Sequence, residues 1–393
     1  MENPMHQLDF TLSAGPVMAT PRTLAAMGEP IVYHYDPEFL ERFRRVEKKA
    51  ARVFQTKNDV FLMQGEAILA LESVARSMVT EGMHVLNLAQ GVFGKGMGYW
   101  LTEFGAILHE IEVPYNEAVS PESVALYLKG HPEVAMIAMV HSETPSGTIT
   151  DCEKIGKIAR KHGALTLVDA VSSIGGLDFK TDAWNMDVVV TGAQKCLGGP
   201  AGIGMVAISD RAWTHILANP TAPRDSYLSI IDWKTKWRDE GRFPFTPSVS
   251  DIYGVESVLD QVLEEGLENS FRRHARSAEV TRVGAVAMGL KLWPASVDIS
   301  ANCLTTIALP DSVNDVEMRT HIRQQYGVML SSGQGAGNLL RIAHMGPSAS
   351  GMYPVVGLAA VGRGLIDKGI RGIDLGAGID AAMAVLGRNG GKS

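Results

Sequence analysis

A lysine surrounded by small residues is the first group in this chain able to do covalent chemistry. Lys195 lies in "TGAQKCLGGPAG", directly after the apolar run "DVVVTG" and next to glycines, an alanine and a proline. In a partly desolvated cleft an amine loses some of its preference for the charged form, as a nucleophilic or proton-carrying lysine requires. On this stretch alone a surface lysine in a loop is an equal alternative. Upstream, "LVDAVSSIGG" ends a strong strand pattern on Asp169, which by itself reads as a helix cap or an Asx turn. Together the two residues match what pyridoxal chemistry needs: an amine for a Schiff base, and an acid that keeps a pyridine nitrogen protonated so that the ring accepts electrons.

A third residue stands in an unusual place. In "FLMQGEAILALES" a buried strand turns into a helix, and Glu66 sits at the helix entrance. The first helical turn offers unpaired N–H groups and the positive end of the helix dipole, where many enzymes of this build hold a phosphate. Here a fixed carboxylate occupies that place. Alone, Glu66 reads as dipole complementation contributing some tenths of a kcal/mol.

Positioning these residues requires a sheet. Short apolar runs, "DVFLM" from Asp59, "HVLNLA" from His84, "VAMIAMVH" from Val134, "ALTLVDA" from Ala164, "DVVVTG" from Asp187 and "IGMVAIS" from Ile203, alternate with helical patterns. That alternation predicts a mostly parallel sheet covered on both faces. Ligands bind at the carboxyl ends of such strands, which brings Gly65 and Glu66, Gly91 to Phe93, His141 to Gly147, Asp169, and Gln194 with Lys195 to one edge. After a long amphipathic stretch, one helix or two, come sparser strands at "CLTTIALP", "GVMLSS" and "LLRIAHMG". The expected division is an N-terminal arm over 1–20, a large α/β domain over 21–265 and a smaller α+β domain over 266–393, with only the final "GRNGGKS" reading as a disordered end.

Composition narrows the function. With 46% apolar and 20% charged residues and a formal charge of −7, the 393-residue chain has no electrostatic reason to bind nucleic acid or an anionic membrane. Cys152, Cys196 and Cys303 have no zinc or disulfide spacing, the start "MENPMHQLDF" lacks a secretory pattern, and no apolar run is long enough for a membrane span. The expectation is a cytoplasmic protein acting on small molecules.

"LSAGPVMATP", "YHYDPEF", "HSETPSG", "LVDAVSSIGG", "TGAQKCLGGPAG" and "LLRIAHMG", in order and over almost the whole chain, resemble the alanine/serine–glyoxylate aminotransferase family of fold-type I pyridoxal phosphate enzymes, the class-V aminotransferases. The "GE" before the helix, "GKGMGYW", "VPYNEA" and "FPFTPSVS" are similar to family members that transaminate free pyridoxamine with pyruvate. The resemblance implies a large domain with a mostly parallel seven-stranded sheet, a smaller C-terminal α+β domain, and a homodimer or homotetramer with shared active sites. It implies Lys195 as Schiff-base and proton-transfer lysine, Asp169 at the pyridine nitrogen, Phe93 on the ring face, and Ser146 and Gln194 as further cofactor contacts. It also implies Arg341 as the substrate-carboxylate clamp, with Gln334, Tyr33 and Phe245 near the substrate. Residue by residue the bland alternatives are core packing for Phe93, a salt bridge for Arg341 and subunit packing for Tyr33.

Two phosphate partners of the family are missing. Relatives that retain pyridoxal phosphate usually carry Ser-Gly-Ser or Ser-Gly-Thr where this chain ends its strand in "QGE", and a tyrosine where this chain has Phe243. A carboxylate about 4 Å from a phosphate charge adds roughly 4 kcal/mol of repulsion at an effective dielectric near 20. A free hydroxymethyl group would instead donate a charge-assisted hydrogen bond to it. The expected reaction is therefore the reversible exchange of an amino group between unphosphorylated pyridoxamine and pyruvate, giving pyridoxal and L-alanine, in vitamin B6 degradation, with the vitamin bound covalently at Lys195 as a substrate. One departure stands at the other end: where such relatives carry "SSGRG", this chain has "SSGQG" with Gln334, leaving the carboxylate clamp one charge short. The alternatives are a pyridoxal 5'-phosphate-dependent alanine, serine or ureidoglycine–glyoxylate aminotransferase, a lyase, which needs an extra acid or thiol near the substrate where the adjacent Cys196 is expected to turn into the core, and a non-catalytic vitamin-binding protein.

Overall fold

The computed structural model describes residues 10–388; the first nine residues and the last five, and with them most of the "GRNGGKS" end, lie outside the described residues. Seven strands form the main sheet: β1 (Val60–Gln64), β2 (His84–Ala89), β3 (Ile107–Glu112), β4 (Met136–Val140), β5 (Leu165–Asp169), β6 (Val188–Gly192) and β7 (Ile203–Ile208). Their order is β1-β7-β6-β5-β4-β2-β3, and only β7 runs against its neighbours. Strands β4 to β7 are buried at every position, as a sheet covered on both faces demands. The edge strand β3, "ILHEIE", is half-exposed and carries two glutamates, so its sequence lacks the apolar run that marks the other six.

Helices α1 (Ala67–Met78), α2 (Val92–Glu103), α3 (Pro121–Gly130) and α4 (Cys152–His162) follow strands of this sheet. The long amphipathic stretch is two helices, α5 (Val249–Glu265) and α6 (Leu267–Ala287), separated at Gly266, whose φ of 86° a helix cannot contain. Beyond them, β8 (Leu304–Ala308), β9 (Ser331–Ser332) and β10 (Leu339–Ala343) make a three-stranded antiparallel sheet, backed by α7 (Asp315–Tyr326), α8 (Tyr353–Asp367) and α9 (Leu375–Gly387).

Two large buried clusters result, one running from Phe39 to Val262 and one from Leu12 and Val280 to Val385. We propose on this basis that the two domains divide near Gly266. Part of the N-terminal arm joins the second unit, because Phe10–Thr11 pairs in parallel with Val328–Met329. Among the described residues no helix is long and apolar enough to cross a membrane.

Candidate active site

The carboxyl ends of the main-sheet strands meet in a cavity of about 80 Å³ lined by Glu66, Ile68, Phe93, Ser142, Thr144, Asp169, Val171, Ser172 and Lys195. A larger groove of about 720 Å³, with Val119, Trp184 and Phe271 in its wall, contains neither Lys195 nor Asp169. Size therefore does not pick the site; the convergence of strand ends does.

Lys195 stands in the turn after β6 and points back to the N-terminal arm, where its Nζ donates to the Ala14 carbonyl at 2.5 Å. Gly15, with φ 110°, leaves the room that the amine uses, since a Cβ there would collide with the lysine side chain. Burial and then the nearby Arg341 charge push the Lys195 pKa down, in the direction a nucleophilic amine requires. Asp169 ends β5 with 7% of its surface exposed. Its Oδ1 accepts the Val171 N–H at 2.9 Å, so the Asx turn is real and occupies one oxygen. Burial raises this carboxyl to about 6 in the absence of a ligand, so a cationic group in the cavity would find a partner held in place but electrostatically unsatisfied.

Phe93 lies in the first turn of α2, half-buried against the core. The turn is fixed by Glu143, a fully buried carboxylate that accepts the Gly94 N–H at 2.6 Å and the Phe93 N–H at 3.2 Å and whose pKa burial pushes up to about 7. Glu143 and Thr144 fall within the stretch His141 to Gly147 that the strand ends single out, though with no role of their own there, while Ser172, whose hydroxyl meets that of Thr144 at 2.6 Å beside Asp169, lies outside every stretch so marked. Within "HSETPSG" the family resemblance implies Ser146 as the cofactor contact. Ser146 does not line the cavity: its hydroxyl meets that of Thr148 at 2.9 Å, and its carbonyl accepts from Thr306 at 2.9 Å. The segment is a tight antiparallel turn, Ser142–Glu143 against Thr148–Ile149, which leaves Ser142 and Thr144 facing the site and sends Ser146 toward the second sheet.

Glu66 is the N-cap of α1. Its Oε2 accepts the Ile68 N–H at 2.8 Å and its Oε1 the Gln194 side-chain amide at 2.5 Å. Helix complementation and a place in the cavity are thus both true of it. Phe243 is 5% exposed, stacked on Trp237 with centroids 4.2 Å apart, and offers no hydroxyl.

Arg341 projects from β10, paired in register with Thr306 of β8 and Ser331 of β9. It is 6% exposed, its Nε has no partner among the described residues, and its Nη2 reaches only the Gln334 Oε1 at 3.3 Å. The salt bridge that a structural arginine would make is not seen among the described residues. Tyr33 is 68% exposed and Phe245 stacks on Tyr227 at 4.1 Å; neither lines the cavity of its own chain. Cys196 is buried, as its place beside the lysine predicts, and donates to the Ser172 carbonyl at 3.2 Å rather than lining the cavity.

Comparison with known proteins agrees with this geometry. The chain is 45% identical over 379 residues, 96% of each sequence, to the pyridoxamine–pyruvate transaminase of Mesorhizobium japonicum. It superposes on the crystal structure of pyridoxamine–pyruvate aminotransferase from Mesorhizobium loti with a TM-score of 0.95 and 44% identity, covering 98% of this chain and 99% of that one. The ureidoglycine–glyoxylate aminotransferase of Bacillus subtilis is more distant, at a TM-score of 0.90 and 29% identity over 96% of this chain and 97% of that one. The family profile of class-V aminotransferases matches residues 22–347. On these matches the chain, with its fold-type I architecture, belongs to the class-V aminotransferases, a pyridoxal phosphate-dependent family of enzymes.

Proposed function

We propose that this aminotransferase moves an amino group between free pyridoxamine and pyruvate, giving pyridoxal and L-alanine, as a step in vitamin B6 degradation. The observation that carries the reading is the occupation of the α1 N-terminus by Glu66, which already takes the Ile68 N–H and the Gln194 amide that a phosphate would use. The pyridine end of the site fits the vitamin: Asp169 for the ring nitrogen, Phe93 for the ring face and Lys195 for the carbonyl carbon. The phosphate end does not fit a phosphate, because a second anion would stand beside a fixed carboxylate. A neutral hydroxymethyl group has a proton to donate there. The relative at 45% identity is named for the same reaction.

When bound, the protonated pyridine ring supplies the electron sink that makes the α-hydrogen acidic. Asp169 keeps that ring nitrogen protonated, and its second oxygen is free of hydrogen bonds from the described residues. Lys195, its pKa lowered, carries a proton between the α-carbon of the amino acid and the amine-bearing carbon of the vitamin. Arg341 receives the substrate carboxylate, with Gln334 beside it as a neutral second contact. Both oxygens of Glu66 already hold donors, so the hydroxymethyl group binds through a remaining lone pair. Since the vitamin leaves in each cycle, both substrates must be present together. We further propose a homodimer or homotetramer in which exposed Tyr33 and the Tyr227–Phe245 stack close a neighbouring copy's site.

The test is turnover of pyridoxamine by purified protein with pyruvate and no added phosphate ester, followed as pyridoxal formed. Conversion that needs pyruvate supports the reading. Activity only after loading with pyridoxal 5'-phosphate, and with glyoxylate as acceptor, contradicts it and supports the glyoxylate-type alternative, which the missing charge at Gln334 favours at the oxo-acid end.

A further inference from the structure

At the opposite edge of the main sheet from the cavity lies a cluster with a different chemistry. His84 opens β2 and His109 lies within β3; the register pairs His84 with Ile107 and Leu86 with His109, which sets the two imidazoles as diagonal neighbours on one face. His84 Nδ1 and His109 Nε2 are 2.8 Å apart. Glu133, in the turn between α3 and β4, brings a carboxylate to the same point, and one donor atom from each of the three residues lies within 4.8 Å of the other two.

Their surroundings resemble the outer shell of a metal site. The second nitrogen of His109 is held by the Tyr127 hydroxyl at 2.9 Å, which fixes the ring so that Nε2 faces the cluster. His131 Nδ1 holds one Glu133 oxygen at 3.0 Å and stacks on Tyr127 with centroids 4.2 Å apart. Side chains from two adjacent strands and a turn thus converge half-exposed, with an entry path from solvent.

We propose that His84, His109 and Glu133 bind one divalent transition-metal ion of the zinc class. Two imidazoles and one carboxylate suit Zn²⁺, which imposes no electronic geometry and takes N and O donors at ~2.0–2.2 Å. Tetrahedral ligation places neighbouring donor atoms about 3.3 Å apart, so the 2.8 Å separation of the two imidazole nitrogens opens by small side-chain rotations. Water fills the fourth position. The ion would tie edge strand β3 to β2 and to the α3–β4 turn, a structural staple remote from the transamination cavity.

The experiment is calorimetric titration of untagged, chelator-treated full-length protein with Zn²⁺, and with Co²⁺ as a spectroscopic probe. One equivalent per chain, a rise in melting temperature with Zn²⁺, and loss of that uptake in both His109→Gln and Glu133→Gln are expected. Tyr127→Phe should weaken binding about 10-fold, as outer-shell partners do. Glu133 is exposed, so Glu133→Gln should fold and keep its metal-free aminotransferase activity. No uptake by the wild type, or uptake unchanged in both ligand variants, overturns the proposal.

Discussion

Glu66, which lines the cavity, and Arg341, whose charge lies near Lys195, treat negative charge in opposite ways. At the first the protein supplies the anion itself: both oxygens of Glu66 are engaged, by Ile68 and Gln194. At the second it supplies an underused cation: Arg341 is buried, its Nε is unpartnered among the described residues, and a single 3.3 Å contact links it to Gln334. A buried guanidinium left this incompletely paired costs free energy until a carboxylate arrives, and burial already lowers its pKa to about 10. The contrast describes the ligand pair, an oxo acid carrying one carboxylate beside a vitamin carrying no phosphate.

The largest effect should come from the residue both serve. Lys195→Ala is expected to lower kcat by at least about 10²–10⁴, the usual worth of a positioned proton carrier, measured as pyridoxamine turnover. At the self-supplied anion, Glu66→Ser should weaken pyridoxal binding by about 10–100-fold, the equivalent of a lost hydrogen bond to a charged group, while strengthening that of pyridoxal phosphate; titration of both ligands checks the crossover. At the underused cation, Arg341→Lys keeps the charge and loses the parallel donors, so the KM for pyruvate should rise about tenfold with little change in vitamin binding. Gln334→Arg should lower that KM by a smaller factor, of order a few-fold, because its charge lies at the exposed rim.

The pH profile sharpens the comparison further. Burial raises Asp169 from 3.8 to about 6, so the ligand-free fold holds this proton more tightly than the unfolded chain does. Its contribution to stability is present below about 4 and lost as pH rises through about 6. A ring-protonated ligand needs the carboxylate instead, so the KM for pyridoxamine should climb as pH falls below about 6, by up to about tenfold per unit. Asp169→Asn should remove that inflection along with most of the activity.

Much of this was legible because buried parallel strands declare themselves as apolar runs and their ends must carry the chemistry. Six of the seven main-sheet strands, the Asp169–Lys195 pair and the Glu66 cap follow from that logic. The edge strand β3 did not, since a strand with one face in solvent keeps its charges. Ser146 falls away from the cavity because the chain reverses in a tight turn between Glu143 and Thr148, closed by the Gly147 N–H donating to the Glu143 carbonyl, and such a reversal has no periodic signature. The role of Glu143, as distinct from its place at a strand end, has no signature for a related reason: its partners are the N–H groups of α2, far along the chain, and no spacing encodes them.

The central claim is that Glu66 makes the site select the free vitamin. Cofactor-free protein offered equal pyridoxal and pyridoxal phosphate, reduced with borohydride and digested, should carry the pyridoxyl mass on Lys195 in clear excess. Excess of the phosphorylated adduct on Lys195 would contradict the account and reduce Glu66 to a helix cap.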